Sequence, residues 1–354
     1  MIAQKSIPVT PIAKSKIDQL NLHNLAFGKH FTDHMLEADY IDGEWTNVNI
    51  RPYQALTLEP SLAAIHYGQS IFEGIKAFKT ITGEAVIFRP YDNFERFNKS
   101  ATRMQMPTVP EQIFIDGLKQ LVTLDSAWIP KLPEHSLYIR PFMFSTDTTL
   151  GVKPSDTYKF MVILSPTGPY YTTPMKIYVE EYYVRATPGG VGFSKNAGNY
   201  AAAMYATAQA KKIGYDQVLW TDALEHKYIQ ECGTMNVFFI INKTAYTPSL
   251  EQGTILAGVT RNSVMTILTS MGYQVVEKPI HINEVIEAYN SGSLTEIFGT
   301  GTAATISYIK ELRYQDFVME WDTTTWQAAP QVKQTLNEIK DGTQPDIHGW
   351  LCRL

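Results

Sequence analysis

Cysteine is nearly missing: Cys232 and Cys352 are the two that occur in 354 residues. Two thiols so far apart in sequence make neither a disulfide framework nor a Cys-based zinc site, and they fit a reducing compartment. Long apolar runs are missing too. FMVIL at 160–164 and VFFII at 237–241 fall far short of the roughly 18 to 20 residues that span a membrane, so no membrane partner is expected. An excess of basic charge is also lacking. Lys and Arg number 30 against 35 Asp and Glu, a formal charge of −5, which gives no reason to expect a nucleic-acid partner and leaves any bound anion to a local site. The N-terminal stretch has no continuous apolar core of a secretory signal, so the protein is expected to be cytoplasmic, although Lys5, Lys14 and Lys16 keep a transit peptide open. Neither an internal repeat nor a low-complexity tract is visible.

What is present suits a globular protein. Hydrophobic residues make up 44% and charged residues 18%, enough apolar material for ordinary cores. At about 150 residues per domain the length predicts two domains. The prolines and glycine of SPTGPYYTTP, 165–174, mark the boundary. The expected division is a small N-terminal α/β domain at 1–164, a linker at 165–176 and a large C-terminal α/β domain at 177–354.

In the first half, strands are expected at 85–88, 137–144 and 159–164. A helix opens at Asp92, where Asp92 and Glu95 have capping-box spacing and Phe94, Phe97, Ala101 and Met104 form a stripe. In the second half PGGVGFSKNAGNY leads into an alanine-rich helix, with Lys211 and Lys212 in its last turn and Gly214 as cap. Strands follow at 217–220 and 237–241. LAGVTRNSVMTILTSMG then predicts a turn and a helix with Val264, Met265, Leu268 and Met271 on one face and Gly272 past its end. The interleaving of strands and helices gives a mixed α/β (α+β) class and leaves strand order open.

Several residues could carry chemistry. Lys195 sits among Phe193, Ser194, Asn196, Ala197 and Gly198, small or uncharged neighbours. A lysine in a dry, crowded site sheds its proton more readily and can condense with an aldehyde; a solvated loop lysine is the alternative. Glu231, in YIQECGTMNVFFI, is costly to bury unpaired, so it faces a cation or a protonated ring nitrogen unless it lies on an exposed edge. After Gly258, Val259 and Thr260 enter a helix whose first N–H groups and dipole suit a phosphate, as do those of many ordinary capped helices.

Gly299, Gly301 and Ala304 in FGTGTAAT match a dinucleotide fingerprint. The residues that follow are β-branched and aromatic, so the glycines instead mark a tight strand connection near an anion. His30 and His34 lack the HExxH pattern and a third ligand signal, so they are assigned a polar role and no metal is expected. Tyr138 and Arg140 share one face of a strand and could receive a carboxylate against an aromatic wall, a structural ion pair being the alternative.

Six segments in order, FGKHFTDHM, IHYGQSIFEGIKAF, LYIRP, FSKNAGNY, QECGTMNVFF and IFGTGTA, closely resemble branched-chain amino-acid aminotransferases, pyridoxal-phosphate enzymes of fold type IV. The resemblance covers residues 25 to about 310. It implies a two-domain fold type IV homodimer with pyridoxal 5'-phosphate as cofactor. The implied reaction moves an amino group between L-leucine, L-isoleucine or L-valine and 2-oxoglutarate in a two-stage cycle. Lys195 would be the Schiff-base lysine, Glu231 the partner of the pyridine nitrogen and Tyr200 that of the ring hydroxyl. Arg96, the backbone at Val259 and Thr260, and Thr302 would hold the phosphate.

Phe27, Tyr67, Phe72, Tyr138 and Tyr170 would wall the substrate side chain. Thr234 and Ala303 would sit near the α-carboxylate, and Arg140 near a distal one. Each methylene in such a pocket discriminates by only about 1 to 3 kcal/mol, so no absolute preference among the three aliphatic substrates is expected. Animal members carry a Cys-x-x-Cys pair where this chain has Ala304 and Ser307, so that thiol switch is expected to be absent. D-amino-acid aminotransferases and aminodeoxychorismate lyases share the lysine and glutamate; the aromatic set with Tyr138 and Arg140 argues against both. Residues 311–354 carry no functional reading.

Overall fold

A computed structural model describes residues 6–21 and 24–354, which leaves Lys5 outside. The first strands are β1 (His34–Ile41), β2 (Glu44–Pro52), β3 (Ser70–Phe72), β4 (Ile75–Lys79), β5 (Ala85–Phe88), β6 (Ser136–Ser145) and β7 (Tyr158–Thr167). They pair antiparallel in the order β5-β4-β6-β7-β1-β2, with β3 also on β6. Period-two alternation decides which side chains enter the core. Leu137 and Ile139 of β6 join Phe160, Val162 and Leu164 of β7 in one apolar cluster, which leaves Tyr138 and Arg140 on the other face.

Helices α1 (Ala63–Tyr67), α2 (Pro90–Arg103) and α3 (Gly117–Leu124) accompany this sheet. Phe97 and Ala101 of α2 are fully buried in the cluster and Phe94 and Met104 pack at its margin, so the stripe is as the pattern predicts. Its start is not. The helix opens at Pro90, a residue suited to the first turn, with no side-chain cap. Asp92 instead pairs with Arg89, whose Nη2 lies 2.7 Å from Oδ1.

The second set comprises β8 (Met175–Val179), α4 (Ala197–Lys212), β9 (Gln217–Thr221), β10 (Ile229–Cys232), β11 (Asn236–Ile241), β12 (Thr244–Pro248), α5 (Val259–Ser270), β13 (Gln274–Lys278), α6 (Ile282–Asn290), β14 (Leu294–Gly301), β15 (Thr305–Tyr314), β16 (Phe317–Glu320) and α7 (Ala328–Asp341). The sheet order is β10-β9-β8-β15-β14-β11-β12-β13, with β16 on β15. It is mixed: β8 runs parallel to β9 and β15, and β12 parallel to β13. β14 and β15 pair antiparallel across Gly299 and Gly301, so the glycine-rich stretch is a strand connection and not a dinucleotide loop. In α5 Val264 and Leu268 are buried, but Ile267, rather than Met265 or Met271, completes the buried face.

Contacts divide the chain into Met1–Tyr170 with Ser194–Ala197 and Glu338–Leu354, and Tyr171–Phe193 with Gly198–Asn337. The first crossing between the units lies at Tyr170 and Tyr171, and β7 runs through Thr167. Two segments differ from the expected 177–354 domain. Ser194–Ala197, with Lys195, groups with the first unit because Asn196 bridges Ile71 and the Phe72 N–H donates to the Lys195 carbonyl at 3.0 Å. The C-terminal segment does so because β17 (Leu351–Arg353) adds to the edge of β5. No helix among the described residues is long and apolar enough to cross a membrane.

Candidate active site

Lys195 is bolted through its backbone. Its N–H donates to Ser100 Oγ at 2.9 Å, and Ser100 Oγ in turn donates to the Arg96 carbonyl on α2 at 3.0 Å. The side chain is half-buried with Nζ 5.0 Å from the centre of the Phe72 ring. The same ring carries the Arg140 guanidinium at 4.5 Å, and Arg140 Nη2 donates to Tyr138 Oη at 2.9 Å. Tyr138 meets Phe27 edge-on at 4.8 Å, and Phe27 meets Tyr170 at 5.0 Å. An added Cβ on Gly74 would stand 2.2 Å from Tyr138 Oη, so glycine is what lets the tyrosine lie across β4. Phe27, Phe72, Tyr138, Arg140, Tyr170 and Lys195 therefore belong to one contact chain in the first unit. Tyr67 is exposed and donates to the Leu150 carbonyl.

Arg96 makes a bidentate pair with Glu73, Nε to Oε1 at 2.7 Å and Nη2 to Oε2 at 2.8 Å. Asn93 Nδ2 and the Gly74 N–H also donate to Glu73 Oε2. Burial alone would push this carboxyl up, but the charge and hydrogen bonds of Arg96, with Lys195 and Asn93, hold it below its ordinary value. Arg96 is thus fixed in place by an anion that the sequence reading did not single out.

In the second unit Glu231 lies on β10 and is 4% exposed. Its Oε1 accepts the Leu256 N–H at 2.7 Å, and Oε2 lies 3.2 Å from Arg185 Nε. The chain continues from Leu256 into α5, with Val259 and Thr260 buried in its first turn, ahead of the intrahelical ladder. Asn236 Nδ2 donates to the Leu256 carbonyl at 2.9 Å, and an added Cβ on Gly258 would stand 2.0 Å from Asn236 Oδ1. Thr302 and Ala303 are half-buried in the turn after β14, Tyr200 is half-buried in α4, and Thr234 is exposed between β10 and β11. Met235 packs under the turn, where an added Cβ on Gly299 would stand 2.8 Å from its Cε.

Sequence reasoning missed Glu73, Asn93, Ser100, Arg185 and Asn236. The available signal was an acid or amide inside an otherwise apolar or small-residue stretch, such as Glu73 in SIFEGI. His34 is buried against Asp125, Nδ1 to Oδ1 at 2.6 Å, and no group of three metal-ligating side chains occurs among the described residues.

Residues 70–312 match the family described as amino-transferase class IV. A probable branched-chain-amino-acid aminotransferase of Staphylococcus aureus (strain N315) is 48% identical, with 93% of each chain covered. Branched-chain-amino-acid transaminase 1 of Bacillus subtilis (strain 168) is 46% identical over 92% of this chain and 93% of its own. Among solved structures, the branched-chain aminotransferase from Thermoproteus uzoniensis with norvaline has the same fold, with a TM-score of 0.74, 22% identity, and 90% and 99% of the two chains covered. The T.th. branched-chain amino acid aminotransferase complexed with N-(5'-phosphopyridoxyl)-L-glutamate aligns with a TM-score of 0.72 at 25% identity, covering 89% of this chain and 97% of its own. The chain belongs to the class IV aminotransferases, and within them to the branched-chain-amino-acid aminotransferases. It is an enzyme that transfers amino groups, and its mixed α/β architecture is fold type IV.

The residues present fit pyridoxal phosphate. Asn236 holds the Leu256 carbonyl and packs so closely on Gly258 that no side chain fits there, which fixes the backbone ahead of the α5 N-terminus. Thr300, two residues before Thr302, keeps a buried hydroxyl without a hydrogen-bond partner among the described residues. The second unit by itself offers a buried acid and a helix N-terminus, groups of the kind that a pyridine nitrogen and a phosphate require, and the first unit offers an amine of the kind that an aldehyde requires.

Proposed function

We propose that this aminotransferase exchanges the amino group between L-leucine, L-isoleucine or L-valine and 2-oxoglutarate, with pyridoxal 5'-phosphate as cofactor. The observation that carries this reading is the Phe72 ring, shared by the Lys195 amine at 5.0 Å and the Arg140 guanidinium at 4.5 Å. One wall can thus serve two substrate types. A branched aliphatic side chain buries against Phe27, Phe72, Tyr138 and Tyr170, with Tyr67 at the rim; the second carboxylate of glutamate meets Arg140 and the Tyr138 hydroxyl. Thr234 and Ala303 face the α-carboxylate.

When bound, the cofactor supplies an aldehyde for the amino nitrogen and a ring that accepts the electron pair left at Cα. Lys195 Nζ would hold the aldehyde, and as a free amine would be the group that carries the Cα proton. Glu231 would keep the ring nitrogen protonated, and Tyr200 would donate to the ring hydroxyl. Arg96, the N–H groups of Val259 and Thr260, and Thr302 would hold the phosphate. We also infer a cytoplasmic homodimer. The exposed Tyr182, Tyr183, Met204 and Tyr205 support a surface for a second copy.

The test is a visible spectrum of the purified protein before and after L-leucine, with D-alanine and aminodeoxychorismate as parallel additions, followed by borohydride reduction and peptide mapping. A spectral change with L-leucine alone and an adduct on Lys195 are expected. An adduct on another side chain removes the lysine assignment, and a response to D-alanine in its place overturns the substrate class.

A further inference from the structure

Arg185, in the loop between β8 and α4, is held as firmly as the acid it faces. Its Nη2 donates to the Thr254 carbonyl, its Nη1 to the Gly192 carbonyl at 3.4 Å, and its side chain is 8% exposed. The loop closes tightly: an added Cβ on Gly192 would stand 2.5 Å from the Thr254 carbonyl oxygen and from Ala186 Cβ. With both terminal nitrogens committed to carbonyls, the Nε edge is left toward Glu231 Oε2 at 3.2 Å. That N–H is not aligned on an acceptor among the described residues, so the contact acts through charge.

Burial disfavours the ionised form of a carboxylate such as Glu231, and a cation or hydrogen-bond donor against it favours that form. Its strand neighbour Cys232 supplies no charge, since burial, with the Glu231 charge, pushes the thiol up to about 12. We infer that Arg185 is a positioning residue for Glu231, keeping the carboxylate anionic and fixed so that it can meet a protonated ring nitrogen. This rests on the reading of Glu231 given under Proposed function.

The probe is pyridoxal phosphate bound to the holoprotein, read by its visible absorbance and dissociation constant between about pH 6 and 10. At neutral pH, Arg185→Met and Glu231→Gln should share an altered spectrum and bind the cofactor about tenfold or more weakly. Raising the pH should return Arg185→Met toward the wild-type spectrum, because Glu231 then ionises without the Arg185 charge, whereas Glu231→Gln should not recover. Arg185→Lys keeps the charge and should keep the neutral-pH spectrum.

An Arg185→Met profile that matches wild type at every pH while Glu231→Gln differs would overturn the proposal, even if the melting temperature falls. Should Arg185→Met fail to fold by circular dichroism, Arg185→Gln is held to the same outcomes. A wild-type spectrum in Glu231→Gln would remove the assignment of Glu231 itself, and this inference with it.

Discussion

Glu73 has no exposure to solvent, and each of its carboxylate oxygens accepts a nitrogen of Arg96 within 2.8 Å. Removing one member of a buried ion pair typically costs about 3 to 5 kcal/mol, because the other charge stays buried. Glu73→Gln should lower stability on that scale, read as a shift in urea midpoint at unchanged m. The pH dependence follows from the sign of the shift. The folded carboxyl sits below its ordinary 4.5, so its stabilisation is complete above that value and fades as pH falls through the lower folded value. Glu73→Gln should therefore lose part of the acid sensitivity of the wild type; an unchanged acid limb would mean that Arg96 is held by other partners. Lys195, Glu231 and the Tyr138–Arg140 pair could be singled out from the sequence as candidates because each stands in a short distinctive neighbourhood. Glu73 was not, since its partner lies on α2 and no spacing rule links an acid after one strand to an arginine on a later helix.

At the scale of elements, period and composition showed β6, β7, β11, the face of α2 and half of that expected for α5, all segments whose pattern is set by their own burial. Helix starts were harder to read. The Asp92–Glu95 spacing pointed to a capping box, yet the helix opens at Pro90 and Asp92 turns to Arg89. For α7 the cap comes from a distant strand. Glu296 of β14 accepts the N–H groups of Gln327, Ala328 and Ala329, each at 2.8 Å, with the carboxylate 4% exposed. A carboxylate there satisfies donors that the helix cannot and opposes the positive end of its dipole. Glu296→Ala should cost about 2 to 4 kcal/mol of unfolding free energy and Glu296→Gln about half as much, since the amide still accepts but carries no charge. Equal losses in the two variants would show that hydrogen bonding alone holds the start of α7.

At the scale of the whole molecule, the stretch without a sequence reading, 311–354, is where the chain returns to its first unit. Its contacts there lie some 250 residues upstream, beyond the reach of any local pattern. Lys340, near the end of α7, stands 5.4 Å from the centre of the Phe78 ring and 5.1 Å from that of Phe88. It is 6% exposed and shares this buried region with Lys76 of β4, which is 8% exposed. Burial, then the neighbouring Lys76 charge, bring Lys340 down to about 7; burial brings Lys76 down to about 8 against the opposing pull of Glu134. The unfolded chain, with an ordinary lysine at 10.5, therefore binds the Lys340 proton more readily across the window from about 7 to 10.5. Wild-type stability should rise with pH through that window, and below about 7 the folded protein bears the full cost of a buried ammonium. Lys340→Met removes the charge and keeps most of the length. Its melting temperature should exceed wild type clearly at pH 6, with a ceiling on the order of 4 kcal/mol before the lost ring contacts are subtracted, and the gain should vanish by about pH 10. Melting curves at about pH 6, 8 and 10 decide it: a gain that does not change with pH would assign the effect to packing, and a loss at pH 6 would show that the two phenylalanine rings stabilise the cation by more than its burial costs.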